Sequence, residues 1–131
     1  MATIVNPKTL PPPRGYSNGM LFEGGRMLFV AGQIGMDQNE ALVSEDLTAQ
    51  FRKALENVMD VVREAGGGPE HVGRFTIYVT DKREYIAKTK AIGEAYRAVM
   101  GKHFPAMALV QVADLLLDGA KVEIEATAVL P

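Results

Sequence analysis

The segment from Lys121 to Ala128 alternates polar and apolar residues without a break, which limits the chain to folds that contain a half-buried β-strand. Side chains of a strand point alternately to its two faces, so one set of residues faces the core and the other does not. The core-facing set is Val122, Ile124, Ala126 and Ala128, and the opposite set is Lys121, Glu123, Glu125 and Thr127. A strand of this kind requires neighbours, and the sequence therefore predicts a β-sheet.

Further strand patterns supply those neighbours. Two short apolar runs between Met20 and Val30 flank Glu23-Gly24-Gly25-Arg26, which predicts a β-hairpin. Residues 74–79 alternate in the same way as the last strand, and residues 106–112 are apolar except for Gln111. The proline-rich residues 1–15 are expected to form an extended lead-in.

Two segments have the three- and four-residue spacing of amphipathic helices. The first runs from Asp46, a good N-cap, to Ala65, and Gly66-Gly67-Gly68-Pro69 stops it. The second begins after Asp81, with Glu84 in the capping-box position, and runs to about Met100. Three glycines that follow a helix favour a helix stop over a phosphate-binding loop, which would open a helix.

The order of elements is two strands, helix, strand, helix and two strands, which predicts the α+β class with both helices on one face of a mixed sheet. A chain of 131 residues fits one domain, residues 1–131, which buries roughly two-thirds of its unfolded surface. The uncovered face of the sheet is expected to carry Phe29, Ala31, Met107 and Leu109. Such an apolar face needs a cover, and a symmetric oligomer is the simplest one.

Composition excludes several functional classes. The chain has no cysteine, so disulfides, thiolate catalysis and Cys-based metal sites are ruled out, and His71 and His103 lack the spacing of a metal site, so no metal is expected. The net charge is −2 and the Lys and Arg residues are dispersed, so the sequence shows no basic patch that could bind a nucleic acid. Neither a signal peptide nor an apolar run long enough to span a membrane is present, which predicts a cytoplasmic protein without a membrane partner.

Four motifs resemble the RidA (YjgF) family of small imine and enamine deaminases. They are Gly32-Gln33-Ile34, the Gln50–Asn57 helix segment, Phe104-Pro105-Ala106 and Val122-Glu123-Ile124-Glu125-Ala126. The resemblance covers nearly the whole chain. It implies a chorismate-mutase-like (RidA) fold and a homotrimer whose active clefts lie between subunits.

The resemblance also implies a reaction, the addition of water to the C=N bond of an imine followed by loss of ammonia, with neither metal nor organic cofactor. Glu123 matches the family glutamate that holds the attacking water, and Tyr16 matches a tyrosine that lines the pocket. Other interpretations stay open. Glu123 could be an exposed charge or an ion-pair partner of Lys121 or Arg14, and Tyr16 could serve packing.

Four positions depart from the family pattern. Met107 stands where the family carries a carboxylate-binding arginine, Leu109 where cysteine is common, Ala31 where serine precedes Gly-Gln, and Lys90 where the second helix carries asparagine. Three of these changes make the cleft less polar. A thioether cannot form the two parallel hydrogen bonds that arginine forms with a carboxylate, so Met107 favours a flat or apolar substrate group. Met107 could equally pack in a trimer interface.

Other residues could complete the pocket. Arg14, two residues before Tyr16, and Lys90 are the candidates to replace the missing cation, with solvated surface charges as the alternative. Gln33 can donate and accept hydrogen bonds, but its ordinary duty would be to satisfy backbone at a strand end.

The leading hypothesis is therefore a hydrolytic deaminase for a less acidic or bulkier imine than the small acids the family handles. The alternative is a non-catalytic trimeric protein that binds a small molecule in the same clefts. Ribonuclease activity, a label attached to relatives, finds no support in the acidic charge balance.

Overall fold

The structure is a computed structural model that describes residues 2–131, and within them it contains six strands and three α-helices. In chain order these are β1 (Ala2–Val5), β2 (Gly19–Phe22), β3 (Arg26–Ile34), α1 (Leu47–Glu64), β4 (Val72–Val79), α2 (Lys82–Ala87), α3 (Thr89–Met100), β5 (Ala106–Gln111) and β6 (Val122–Leu130). A short 3-10 turn, Pro69–His71, precedes β4. The predicted α+β class is confirmed.

The main sheet is mixed and has the strand order β3-β6-β4-β5. Strand β6 is antiparallel to both of its neighbours, and β5 runs parallel to β4. The core lies between one face of this sheet and helices α1 and α3, as the sequence predicted. Every second residue of β6, from Val122 to Leu130, is buried, which confirms the face assigned to that strand.

Both predicted helix N-caps are confirmed. The Asp46 side chain accepts a hydrogen bond from the Ala49 amide at 3.0 Å. The Asp81 side chain accepts from the amides of Arg83 and Glu84 at 2.9 and 3.2 Å. Helix α1 ends at Glu64, directly before the predicted glycine stop, where Gly66 adopts a φ of +95°.

The second predicted helix is two helices that meet at Lys88, whose backbone leaves helical geometry with φ −108° and ψ 17°. The Thr89 hydroxyl donates to the carbonyl oxygens of Tyr85 and Ile86, an arrangement that bends helices. The Lys88 ammonium lies 2.9 Å from Asp46 and 3.1 Å from Glu84. The Lys88 side chain therefore links α2 to the start of α1.

The hairpin predicted between Met20 and Val30 is wrong. Strand β2 pairs with β1, and β3 pairs with β6, so the two apolar runs lie in different sheets. Gly25 is pressed against the end of β6, because a Cβ there would lie 2.6 Å from the Leu130 carbonyl oxygen. The described part of the lead-in, residues 2–15, is irregular after Val5 as expected, but Ala2–Val5 form β1, which the sequence did not reveal.

The predicted face of Met107 and Leu109 is also wrong. Met107 pairs with Phe75 and Leu109 with Ile77 in the parallel ladder between β4 and β5. Residues paired in this way point to the same side, and Phe75 and Ile77 are buried, so Met107 and Leu109 pack against the core on the helix side.

The opposite face of the sheet is nevertheless apolar. Phe29 was predicted there and is 74% exposed. It is accompanied by Met27, which is 63% exposed, and by Val110, which is 43% exposed. No helix within residues 2–131 is both long enough and apolar enough to cross a membrane.

Gln50, on α1, is fully buried, and its side chain hydrogen-bonds to three backbone groups outside this helix. Its amide nitrogen donates to the carbonyls of Ser44 and Gly119 at 2.9 and 3.0 Å, and its oxygen accepts from the Lys121 amide at 2.8 Å. Gln50→Leu would leave these groups unpaired in the interior, so we expect it to lower the free energy of unfolding by about 3 kcal/mol. Urea denaturation measures the change.

Arg52→Leu is the matched control, because Arg52 lies on the same helix with a half-exposed side chain and a weak surface ion pair to Glu56. It should change the free energy of unfolding by less than about 0.5 kcal/mol. An unchanged urea midpoint for the Gln50 variant would show that the three buried hydrogen bonds contribute nothing.

Candidate functional site

Ser17 fastens the N-terminal segment to the beginning of β5. It is 5% exposed, its hydroxyl donates to the Phe104 carbonyl at 2.6 Å, and its amide donates to the Pro105 carbonyl at 3.1 Å. These contacts hold Arg14 and Tyr16 next to the start of β5. No spacing in the sequence singles out Ser17, and sequence reasoning missed it.

One cavity, here called the Met107 cavity, has a volume of about 490 Å³ and lies between α3, β5 and the segment around Arg14. Its charged and apolar lining comprises Arg14, Lys90, Arg97, Met107, Phe51, Tyr85, Tyr96 and Phe104. The structure thus brings together Arg14, Lys90 and Met107, three of the predicted substrate-binding residues. Arg97 was not predicted.

Tyr16 lies on the other side of Met107. It lines a shallow depression of about 390 Å³ together with Met107 and Arg74. Its side chain is only partly covered, with 38% exposed. Met107 borders both depressions, so Tyr16 is a neighbour of the Met107 cavity, though it does not line it.

Glu123 projects from β6 on the face of the sheet that the helices leave uncovered, opposite Tyr78 and Ile34 in the strand register. Its carboxylate lies against Gly32, in a break of the β3 register between Val30 and Gln33. A Cβ at Gly32 would overlap that carboxylate. The glycine therefore lets the acid lie directly on the β3 backbone.

Glu123 takes part in none of the salt bridges formed by residues 2–131. Lys121, one of its predicted ion-pair partners, lies 3.4 Å from Glu84 instead. Arg14, the other, lines the Met107 cavity. Glu123 is half-buried, and within residues 2–131 no Lys or Arg nitrogen lies within 4.0 Å of its carboxylate.

Glu125 differs from Glu123 although it shares the same face. The Tyr78 hydroxyl donates to its carboxylate at 3.0 Å. That hydrogen bond, with burial as a smaller cause, raises the pKa of Tyr78 above its usual value. Glu125 is thus engaged with a phenol, whereas Glu123 is not.

Gly32→Ala tests the contact between Gly32 and Glu123. The new methyl group would displace the end of a flexible side chain, so we expect the fold to survive and the carboxylate to move. Because a shift of about 1 Å can cost a hundredfold in rate, any activity that depends on Glu123 should fall roughly tenfold to a hundredfold. Steady-state kinetics and thermal unfolding measure the two effects.

Gly19→Ala is the control, since Gly19 lies in β2 and its Cβ would make an ordinary contact of 3.5 Å with Val5. It should leave activity unchanged. Equal activity of the Gly32 variant and the parent chain would mean that the position of the carboxylate is unimportant.

Gln33, Ala31 and Leu109 are not brought to the Met107 cavity. The Gln33 amide donates to the Ala31 carbonyl at 3.2 Å. The residue lines a separate polar groove beside α1. Ala31 is exposed in the irregular part of β3, and Leu109 packs against the core. Asn57 satisfies the backbone at this strand end, because its amide donates to the carbonyls of Ile34 and Met36.

Glu123 and the three predicted binding residues of the Met107 cavity therefore form two separate halves within one chain. Met107 lies on edge strand β5, on the helix side of the sheet, and Glu123 lies on β6, on the opposite side. Strand β4 separates them, which places the two strands about 10 Å apart.

His71 ends the 3-10 turn before β4, and His103 lies in the loop that follows α3. The Nδ1 atom of His71 accepts from the Gly68 amide at 2.9 Å, and Nε2 of His103 lies 2.8 Å from the Val72 carbonyl oxygen. Within residues 2–131, no cluster of three or more His, Asp or Glu side chains has the geometry to hold a metal ion.

A protein-family model described as "Endoribonuclease L-PSP" matches residues 7–130. A curated relative, the 2-iminobutanoate/2-iminopropanoate deaminase of Salmonella typhimurium, is 39% identical over 105 residues, which cover 80% of each chain. The human protein of the same name is 32% identical over 115 residues, which cover 87% of this chain and 79% of the relative.

Among solved structures, the Rid-family protein YyfB of Yersinia pestis, a protein of unknown function, superposes with a TM-score of 0.88 at 34% identity and covers 98% of both chains. The YjgF gene product of Escherichia coli superposes with a TM-score of 0.70 at 32% identity, covering 97% of this chain and 98% of that one. The six strands and three helices therefore form a fold shared with these proteins.

Proposed function

The chain belongs to the RidA (YjgF) family, and from this membership we propose that it hydrolyses a reactive imine or enamine. In this reaction water adds to the carbon of the C=N bond, the C–N bond then breaks, and the products are a carbonyl compound and ammonia. Enamines enter by first tautomerising to the imine. The names of the curated relatives support the general reaction.

One observation carries the proposal, namely the free carboxylate of Glu123 lying against Gly32. A carboxylate without a competing cation can accept a hydrogen bond from water and take its proton as the water attacks. Tyr16 supplies a phenol that can hydrogen-bond to the substrate nitrogen or to the leaving ammonia. These groups suffice for the reaction without metal or organic cofactor.

We propose that three copies assemble so that Glu123 of one protomer faces the Met107 cavity of another. The separation of the two half-sites within one chain supports this arrangement, and so does the exposed apolar face around Phe29. Sedimentation equilibrium should give three times the mass of 14.2 kDa. A monomer that retains full activity would contradict the proposal that the active site requires three copies.

The reaction itself is tested with imines generated in the assay by an amino-acid oxidase. We expect the protein to accelerate release of ammonia and formation of the 2-oxo acid. Small imino acids derived from alanine or serine should be poor substrates compared with larger ones, because they lack a side chain that can contact the apolar surface of Met107.

The loss of polar residues at three positions of the family pattern supports a second candidate, a trimeric protein that binds a small molecule without converting it. Met107, Leu109 and Ala31 each replace a more polar residue of the family pattern. Ligand-dependent thermal stabilisation without product from any imine would favour this function. Product formation would exclude it.

RNA cleavage is not part of the proposal, although the family model carries an endoribonuclease description. The chain has 14 basic and 16 acidic residues, and a net charge of −2 opposes binding of a polyanion. We expect the protein to be cytoplasmic, as the sequence predicts.

A further inference from the structure

Within one protomer, the Met107 cavity carries charge of a single sign. Arg14, Lys90 and Arg97 line it, and no Asp or Glu side chain does. None of the three takes part in a salt bridge with the residues that the structure describes, 2–131. All three side chains are exposed, so water screens their mutual repulsion, and what the cavity offers an anion is three cationic hydrogen-bond donors around one space.

The three cations reach the cavity from two opposite walls. Lys90 and Arg97 are seven residues apart on α3, about two turns, so they lie on one helix face. Gly93 lies between them, and a Cβ there would be 3.4 Å from Nη1 of Arg97, so this guanidinium lies over the glycine. Arg14 comes from the segment that Ser17 fastens to β5.

The remaining lining is aromatic and apolar. The rings of Tyr96 and Phe104 are stacked, with centroids 5.3 Å apart and an interplanar angle of 14°. Tyr85 and Phe51 form a tilted pair at 6.4 Å, and Met107 adds a polarisable thioether. A volume of about 490 Å³ lies within the range of sites that hold small organic molecules of substantial size.

We propose that the Met107 cavity binds a carboxylic acid with an aromatic side chain, whose carboxylate lies among Arg14, Lys90 and Arg97 and whose ring contacts Met107 and the aromatic wall. Guanidinium groups suit a carboxylate because they form parallel, charge-assisted hydrogen bonds. Taken with the proposed function, on which this step rests, the substrate is a 2-imino acid with an arylmethyl side chain. Water converts it to the 2-oxo acid and ammonia.

The product of that reaction is a stable probe, so binding is measurable without catalysis. Phenylpyruvate should bind by isothermal titration calorimetry, and pyruvate, which lacks the ring, and methyl phenylpyruvate, which lacks the charge, should each bind at least about tenfold more weakly. Arg97→Ala and Arg14→Ala should each weaken phenylpyruvate binding by about tenfold or more. Arg97→Lys, which keeps the charge, should lose less.

Arg83→Ala is the matched control, because Arg83 is an exposed cation on α2 that does not line the cavity. It removes the same charge and should change the Kd less than about twofold. Thermal unfolding of each variant shows whether the fold is intact. Inorganic phosphate at the same ionic strength tests whether any anion suffices, and it should compete poorly.

The outcomes separate this inference from the proposed function. Binding that depends on Arg14 and Arg97 without any imine turnover would support the acid site and overturn the deaminase. Imine turnover together with a phenylpyruvate Kd that neither Arg14→Ala nor Arg97→Ala changes would support the deaminase and overturn the acid site. Phosphate binding as tight as that of phenylpyruvate would overturn the proposed ligand class.

Discussion

Replacing Glu123 with glutamine should lower the rate of imine hydrolysis at least about a hundredfold, because general acid–base catalysis commonly contributes factors of about 100 to 10,000. The amide keeps the size of the side chain and its contact with Gly32, but it cannot take a proton from water. We expect kcat to fall while the Kd for phenylpyruvate changes little. Ammonia release from an arylmethyl imine and titration calorimetry measure the two quantities.

Glu125→Gln provides the matched comparison on the same strand and face. Glu125 accepts a hydrogen bond from Tyr78, and the glutamine oxygen can still accept it. This variant should keep kcat within a few-fold of the parent chain and should lower the pKa of Tyr78 toward its usual value, since the carboxylate that raises it is gone. If the two variants lost activity equally, Glu123 would have no special place in the mechanism.

Local features of the fold were predictable from the sequence because they depend on a few neighbouring residues. The alternation in β6 identified its buried face, and Asp46 and Asp81 identified two helix starts through short side-chain contacts with the next turn. The helix stop at Gly66 has the same local origin. These patterns require no knowledge of distant strands.

Long-range pairing was not predictable in the same way. The glycine-rich turn before Arg26 has hairpin composition, yet β3 pairs with β6 across nearly the whole chain. A one-residue change of register moves a side chain to the other face, so the parallel ladder with β4 decided where Met107 points. An apolar run such as residues 106–110 contains no alternation that could have indicated the answer.

The candidate site also has parts that the sequence could predict and parts that it could not. Family resemblance gave Glu123 and Met107, but only the structure shows that they lie in separate halves of one chain. Arg97 could have been found, since its seven-residue spacing from Lys90 and the glycine between them predict a shared open helix face. Ser17 has no such signal, because its partner carbonyls lie far along the chain.

Met107 then decides which acids the cavity accepts, and its replacement by arginine should reverse that choice. An arginine at this position of β5 would form the paired hydrogen bonds to a carboxylate that the thioether cannot form. It would also put a fourth cation beside Arg14, Lys90 and Arg97 and remove apolar surface from the ring-binding wall. Small acids should gain from the first effect, and aromatic acids should lose from the second.

We therefore expect Met107→Arg to raise kcat/KM for 2-iminopropanoate about tenfold to a hundredfold, the factor that one or two charge-assisted hydrogen bonds supply. For the arylmethyl imino acid kcat/KM should fall, so the ratio of the two values is the sharpest measurement. Met107→Leu, which keeps the apolar character, should leave that ratio within about threefold of the parent value. If Met107→Arg altered neither value, the substrate carboxylate would not approach β5 at all, and the Met107 cavity would have no part in selecting the substrate.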